Sequence, residues 1–287
     1  MNAFVNVINK VAKVARQSMV IGENDYYNEE NILICGECGH ARQKKIILSS
    51  GSQEIIPSEC PCWKKKNELK EKELELKEAQ RKKKIAIDNL KKNSLIDEKF
   101  QKCTFDSYTV TEENNLPYRI GKRYADIFPE LFKKNQGLLF YGTVGNGKTH
   151  LASCIANQLM ENMFSVYAIS LVKIVNNSLW FSKQEVFLNK IQSCDLLIVD
   201  DLGAERTTDY GLEIVYNIID TRYRCSKPMI VTTNLSLNEL QTTNDIRQRR
   251  IYDRVLENCY PVLFNGRSWR IKEAASRFED MKNNLGE

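Results

Sequence analysis

No apolar run in this chain approaches the roughly 18 residues that a membrane-spanning helix requires, so no membrane span is expected. It also lacks a strong excess of either charge. Its 42 lysines and arginines stand against 37 acidic residues, a net charge of +5. Such mild basicity permits contact with nucleic acid without demanding it. Near the start, from Met1 to about Val20, there is no unbroken apolar core, because Lys10, Lys13 and Arg16 interrupt it. A signal peptide is therefore not expected, and scarce serine with the lone Arg16 argues against a mitochondrial presequence. Phe4, Ile8, Val11, Ala15 and Met19 fall near helical spacing, which predicts an amphipathic helix packed on its own domain or on a partner.

What is present is more specific. Gly142-Thr143-Val144-Gly145-Asn146-Gly147-Lys148-Thr149 fits G-x-x-x-x-G-K-[ST], a phosphate-binding loop. Its glycines let backbone N–H groups turn inward to cradle phosphates. Lys148 then reaches the β- and γ-phosphates of ATP, and the Thr149 hydroxyl faces magnesium. The stretch 137–141 reads as a buried strand leading in, and 151–159 as a helix leading out with its positive end toward the phosphates. His150 follows the loop and belongs to the candidate nucleotide-binding set, although no chemistry is assigned to it. Asp195-Leu196-Leu197-Ile198-Val199-Asp200-Asp201 is an apolar strand ending in two carboxylates. A nucleotide-bound magnesium needs a hard oxygen ligand at the C-terminal end of a neighbouring parallel strand, and Asp200 suits that role. Asp201 is placed to orient an attacking water.

Nine cysteines is an odd number. Beside an ATP site it suggests a cytoplasmic protein without a disulfide framework. Four of them cluster: Cys35 and Cys38 form one turn, and Cys60 and Cys62 form a second after 21 intervening residues (39–59). Two short cysteine turns at this separation build a four-cysteine zinc ribbon, each turn supplying two thiolates to a tetrahedron. The second turn is C-x-C, so His40 stands as a possible replacement for one cysteine. Ile46–Leu48 and Glu54–Ile56 read as short strands joined by a hairpin turn at 49–52. With no open ligand position implied, the zinc is expected to be structural, and in so small a domain it supplies folding energy.

From Trp63 to about Asn93 a charged helix is expected, with Glu68–Lys72, Glu73–Lys77 and Glu78–Lys82 as favourable pairs. Leu69, Leu76 and Leu90 give only a broken heptad seam. Beyond it, candidate strands at 137–141, 165–169, 195–200, 229–233 and 261–264 alternate with helical stretches such as 149–162 and 209–224. That pattern predicts an α/β class fold with a parallel sheet in three layers. The expected organisation is 1–62, the amphipathic helix and zinc-binding domain; 63–99, the connector helix; and 100–287, the ATPase domain. Met229-Ile230-Val231-Thr232-Thr233-Asn234 ends in polar residues, and Asn234 is positioned to hydrogen-bond a water near the γ-phosphate.

These motifs together carry a family resemblance. G-x-x-G-x-G-K-T-H-L from Gly142, L-L-I-V-D-D-L-G-A-E-R from Leu196, I-I-D-x-R-Y from Ile218, V-T-T-N-L from Val231 and I-Y-D-R-V from Ile251 resemble the AAA+ ATPases of the DnaC/DnaI helicase-loader group. The resemblance covers about residues 100–275, and the segment 102–108 looks like the family's short lead-in to the ATPase domain. It implies a P-loop AAA+ core that loads a replicative hexameric helicase onto single-stranded DNA, with the zinc-bearing region docking on the helicase. It implies further that subunits self-associate through the ATP site, in a spiral. By matching position, 142–149 is Walker A, Asp200-Asp201 Walker B and Asn234 sensor 1. Arg254 matches the arginine finger, with Arg250 assisting. Arg270 matches the arginine of the closing motif, facing the phosphates of its own subunit, and Arg222 is a candidate for the subunit interface. Most AAA+ members carry D-E where this chain has Asp200-Asp201, so slow, stimulated turnover is expected. Lys173, Lys183, Arg206, Trp180 and Phe181 are candidate DNA contacts. An IstB-like transposition helper and a nucleotide-gated protein adaptor are the alternatives.

Overall fold

The structure is a computed structural model. It describes residues 21–48, 51–175, 179–204, 208–266 and 268–285, with only the backbone of 179–183, 272, 273 and 276. The helix expected at 1–20, Arg206, and the side chains of Trp180, Phe181 and Lys183 lie outside the described set. No described helix is long and apolar enough to cross a membrane. The chain divides into two compact units, Met1–Lys83 and Lys84–Glu287.

In the first unit, β1 (Tyr26–Tyr27) pairs antiparallel with β2 (Leu33–Ile34), and β3 (Gln43–Ile47) with β4 (Gln53–Pro57). The first hairpin has only its second strand in an apolar run, at 32–35. Its turn is closed by Asn28, whose Oδ1 accepts the N–H groups of Glu30 and Ile32 at 3.1 and 2.9 Å. The β3 strand starts earlier than apolarity suggested, because Lys44 and Lys45 pair with Ile56 and Ile55 through the backbone while pointing to water. Helix α1 (Pro61–Asn93) begins two residues before the expected Trp63. Proline is favoured at a first helical position because its missing N–H would be unpaired there anyway. The second cysteine turn is therefore also the first turn of a helix that runs on past Lys83.

The second unit holds β5 (Gly137–Gly142), β6 (Val166–Ser170), β7 (Leu196–Leu202), β8 (Met229–Thr233) and β9 (Cys259–Phe264). Every pairing is parallel, in the order β6-β7-β8-β5-β9. Successive side chains alternate between faces, as the pleat requires. Leu138, Phe140, Leu196, Ile198, Ile230, Val262 and Phe264 enter one core, together with Leu151, Ile155 and Leu159 of α4 (Lys148–Glu161). Tyr124 of α2 (Asn115–Asp126) and Phe128 of α3 (Phe128–Lys133) join them. Leu139, Leu197, Val199, Met229 and Val231 enter the other core. There they meet Leu171 of α5 (Leu171–Val175), Ile191 of α6 (Leu179–Ser193), Val215 and Ile219 of α7 (Asp209–Arg224) and Val255 of α9 (Ile246–Asn258). The second helical layer also includes α8 (Leu237–Thr242), and α10 (Trp269–Leu285) closes the described chain. This is the expected three-layer parallel α/β architecture.

Three details depart from expectation. The last strand starts at Cys259 instead of 261, since Tyr260 and Pro261, though exposed, keep register with Leu138 and Leu139. The double-aspartate strand is not the immediate neighbour of the phosphate-loop strand: β8 lies between β5 and β7. Contact is still made because α4 crosses the sheet on its way from β5 to β6, packing on β8, β7 and β6, which carries its N-terminus over the tip of β7. Finally, Arg222 does not line a surface. Its guanidinium is fully buried and donates to the carbonyls of Ile191, Cys194, Asp195 and Pro228 at 2.7–2.9 Å. It ties the C-terminal end of α7 to the N-terminal ends of β7 and β8. A buried arginine needs every donor paired, and carbonyl oxygens at chain turns provide that without a second charge.

Candidate nucleotide site and candidate metal centre

The phosphate loop has the backbone its glycines permit. Gly142, Gly145 and Gly147 have φ of 129°, 83° and 93°, a region that side chains disfavour. At Gly142 an added Cβ would also stand 2.2 Å from the Phe264 carbonyl oxygen, and at Gly145 it would stand 2.2 Å from Ser268 Oγ. Asn146 fixes the loop to β9 by donating from Nδ2 to Phe264 O at 2.6 Å. Trp269 N–H donates to Gly145 O at 2.9 Å, tying the start of α10 to the same loop. Asn146 lines the cleft, but its amide is engaged by Phe264 O and Lys148 Nζ.

Lys148 donates from Nζ to the carbonyls of Gly142 and Thr143 at 2.9 and 2.7 Å and to Asn146 Oδ1 at 3.3 Å. Burial lowers its pKa to about 8, with Asp201 and Asp200 opposing the shift and Arg270 adding to it. Thr149 Oγ1 donates to Asp200 Oδ1 at 2.8 Å, and Thr232 Oγ1 donates to the same oxygen at 2.7 Å. Burial pushes the Asp200 carboxyl up, against the pull of these two hydroxyls. Two oxygens on one edge of a magnesium octahedron lie about 2.9 Å apart, so the Thr149–Asp200 pair fits that ion directly or through its retained waters.

The second carboxylate reaches the site through an irregularity. Val199 pairs with Val231 and Leu202 with Thr233, so three residues of β7 span two of β8. Asp201 takes up the extra length at φ 60°. Aspartate tolerates this conformation better than most residues, at a cost of about 1–3 kcal/mol. In a regular strand two consecutive side chains would face opposite sides of the sheet. With this bulge Asp200 meets Thr149 while Asp201 lines the phosphate-loop cleft.

That cleft, about 720 Å³, is lined by Val144–His150 together with Asp201, Asn234, Trp269 and Arg270. It also takes in Tyr108 and Asn114, which sequence reasoning missed. His150 packs against Tyr108 with ring centres 5.2 Å apart, and Tyr108 stacks on Tyr118 at 5.4 Å. The lead-in segment is gripped by Asn157 of α4, which donates to the carbonyls of Phe100 and Cys103 at 2.9 and 2.8 Å. The signal that could have found Tyr108 was its place at the end of the segment 102–108. Arg254 does not line this cleft, and Arg250 is exposed one turn before it on α9. Lys173, a candidate DNA contact, is paired with Asp97 at 2.5 Å, which offsets its charge.

In the first unit the Sγ atoms of Cys35, Cys38, Cys60 and Cys62 all lie within 4.8 Å of one another. Three of the separations are 3.3–3.4 Å. A zinc tetrahedron with bonds of about 2.3 Å has sulfur–sulfur edges of about 3.8 Å, so the donor set fits that ion. His40 is not part of it: its Nδ1 lies 2.9 Å from Cys38 O. The helix start explains the C-x-C spacing, since α1 presents Cys60 just before its first turn and Cys62 within it. Cys38 is held down to about 6, chiefly by the His40 backbone N–H. The knuckle is braced by a buried ion pair between Asp25 and Arg42. Asp25 also accepts the Gly36 N–H at 3.1 Å, and Arg42 stacks over Trp63 at 4.8 Å.

Comparison with known proteins fits this geometry. The family model of IstB-like ATP binding proteins matches residues 66–277. The replicative helicase loader DnaC of Escherichia coli (strain K12) is 29% identical over 187 residues, which is 62% of this chain and 73% of that one. The replicative helicase loader DnaI of Bacillus subtilis (strain 168) is 24% identical over 251 residues, 82% of this chain and 75% of that one. A crystal structure of DnaI superposes with a TM-score of 0.51 at 22% identity, covering 60% of this chain and 95% of its own. One of the DnaC helicase loader gives 0.51 at 23%, covering 59% and 100%. The shared fold is the AAA+ ATPase core.

Proposed function

The chain belongs to the family of IstB-like ATP binding proteins, and on that premise we propose that it is an ATP-hydrolysing loader of a replicative hexameric helicase onto single-stranded DNA. The observation that carries this reading is the convergence of Lys148, Thr149, Asp200, Asp201, Asn234 and Arg270 on one nucleotide-sized region, with Arg254 outside it. Lys148 and the 142–149 backbone hold the β- and γ-phosphates, and Arg270 adds charge from the same subunit. Thr149 and Asp200 hold magnesium, which when bound neutralises charge on the phosphate oxygens. Asp201 and Asn234 orient the attacking water. The missing cation is supplied by Arg254 of a neighbouring subunit, so hydrolysis requires self-association.

The division of labour follows the chain. Residues 1–62, with zinc on Cys35, Cys38, Cys60 and Cys62, dock on the helicase. Residues 63–99 connect, and 100–287 form the nucleotide switch. Support for the docking role comes from the match to DnaI, which extends over 82% of this chain and so beyond the ATPase unit. The family match is also consistent with a second reading, an IstB-like helper ATPase of transposition with the same nucleotide site.

Co-purification separates the two. With ATP present, the full chain is expected to retain the cognate replicative helicase, and a chain lacking residues 1–95 is expected to lose it. Retention of a transposase, with no helicase bound under any nucleotide condition, would favour the second reading.

A further inference from the structure

Helix α7 carries Tyr216, Asp220 and Tyr223 at positions i, i+4 and i+7, which places them in one stripe along the helix. The stripe faces Arg254 of α9. The Arg254 guanidinium lies over the Tyr216 ring at 4.9 Å and the Tyr223 ring at 5.5 Å. Its Nη2 is 2.8 Å from Asp220 Oδ1 and donates to Tyr216 Oη at 3.1 Å, while Nη1 donates to the Arg250 carbonyl at 2.8 Å. Arg254 Nε and Asp220 Oδ1 are both buried without a hydrogen-bond partner, so the carboxylate holds the guanidinium as an ion pair and not through an aligned hydrogen bond. Tyr223 is itself oriented, donating to the Glu257 carboxylate at 3.0 Å.

We propose that Asp220, assisted by Tyr216 and Tyr223, is a positioning residue that holds the Arg254 guanidinium preformed for the nucleotide of a neighbouring subunit. The inference rests on Arg254 acting across a subunit boundary. Three features separate this arrangement from an ordinary surface ion pair. An isolated exposed pair leaves two long side chains free to wander and contributes little to stability. Here the arginine is fixed on its faces by rings and on its edge by two hydrogen-bond acceptors, Tyr216 Oη and the Arg250 carbonyl, with the Asp220 carboxylate beside it at ion-pair distance, leaving 23% of the side chain exposed. The packing of α7 on α9 does not need the pair, because Val215, Ile219, Ile251 and Val255 already form a fully or nearly fully buried seam. The carboxylate is also shared, since Arg224 approaches its other oxygen at 2.7 Å. Asp220 therefore orients Arg254 without being devoted to cancelling its charge. A long, flexible cation gains most from such preorganisation, because rotamer freedom lost in the free subunit is not lost again when subunits meet.

The test is Asp220→Asn, which keeps the shape and removes the charge, assayed as ATP turnover with helicase and single-stranded DNA. We expect kcat to fall by about 10- to 100-fold, the scale of a misplaced catalytic group, with the KM for ATP and the thermal midpoint unchanged. Asp220→Glu should recover part of the loss. Mixing Asp220→Asn with Asp201→Asn should then give more activity than the two measured apart, because some interfaces join an intact site to an intact Arg254. Wild-type kcat in Asp220→Asn, or a loss that mixing does not repair, overturns the proposal. Mixing Arg254→Ala with Asp201→Asn isolates the premise: recovery there supports action across the boundary, and no recovery overturns that premise whatever Asp220→Asn does.

Discussion

Lys148→Ala is expected to lose ATP binding by two orders of magnitude or more. The ammonium already sits among the Gly142 and Thr143 carbonyls, 2.7–2.9 Å away, at the mouth of the loop proposed to cradle the phosphates. Hydrogen bonds to a charged partner contribute about 1.5–3 kcal/mol each, and Lys148 reaches two phosphates. Alanine also leaves the Gly142 and Thr143 carbonyls without this donor. Titration of a fluorescent ATP analogue checks the loss, and near wild-type affinity would remove Lys148 from the site. The same residue sets a pH dependence. With the free lysine lowered to about 8 by burial, it is charged in both free and bound protein below that pH. Above it, binding must take up a proton, so affinity should fall about tenfold per pH unit until the pKa of the bound form is reached. In the same titration, constant affinity between pH 7 and 10 would show that Lys148 is not the phosphate contact.

Removal of zinc is the second large effect. Among the described residues of 21–83, only Leu33, Cys35, Arg42 and Cys60 are buried, and two of these are members of the cysteine cluster. So small a core cannot offset the chain entropy of ordering two hairpins. Structural zinc contributes about 10–16 kcal/mol in zinc-finger peptides, far more than that core can. Cys35→Ser, or a strong chelator, should therefore unfold this unit, release about one zinc per chain, and abolish helicase co-purification. Nucleotide binding should persist, because its residues all belong to 84–287. Metal analysis with limited proteolysis reads both effects. A metal-free chain whose 21–83 segment still resists protease would contradict the structural role.

The parts of this molecule that were legible in the sequence are those where one residue type has one physical reason to be present. The alternation of apolar strands and periodic helices gave the three-layer sheet, and the glycine spacing gave the loop that Gly142, Gly145 and Gly147 form. The less legible parts depend on relations between distant segments. Nothing near Asp201 announces the extra residue that turns it toward the cleft, because the bulge is defined only against β8. Thr232 looks like strand filler until its hydroxyl meets Asp200. Arg222 belongs to the motif that starts at Ile218, yet its four carbonyl partners come from 191–195 and 228, and only the fold brings them together. The C-x-C turn departed from the usual spacing for a local reason, the helix start at Pro61.

The most direct test of the central claim uses a closed circle of single-stranded DNA. A hexameric ring cannot thread onto such a circle unless it is opened, so stable helicase retention after gel filtration measures loading itself. With the cognate helicase, the full chain and ATP, retention is expected, and it should vanish with Lys148→Ala. Equal retention with and without this protein, or none despite a helicase complex and bound ATP, would contradict the loader account.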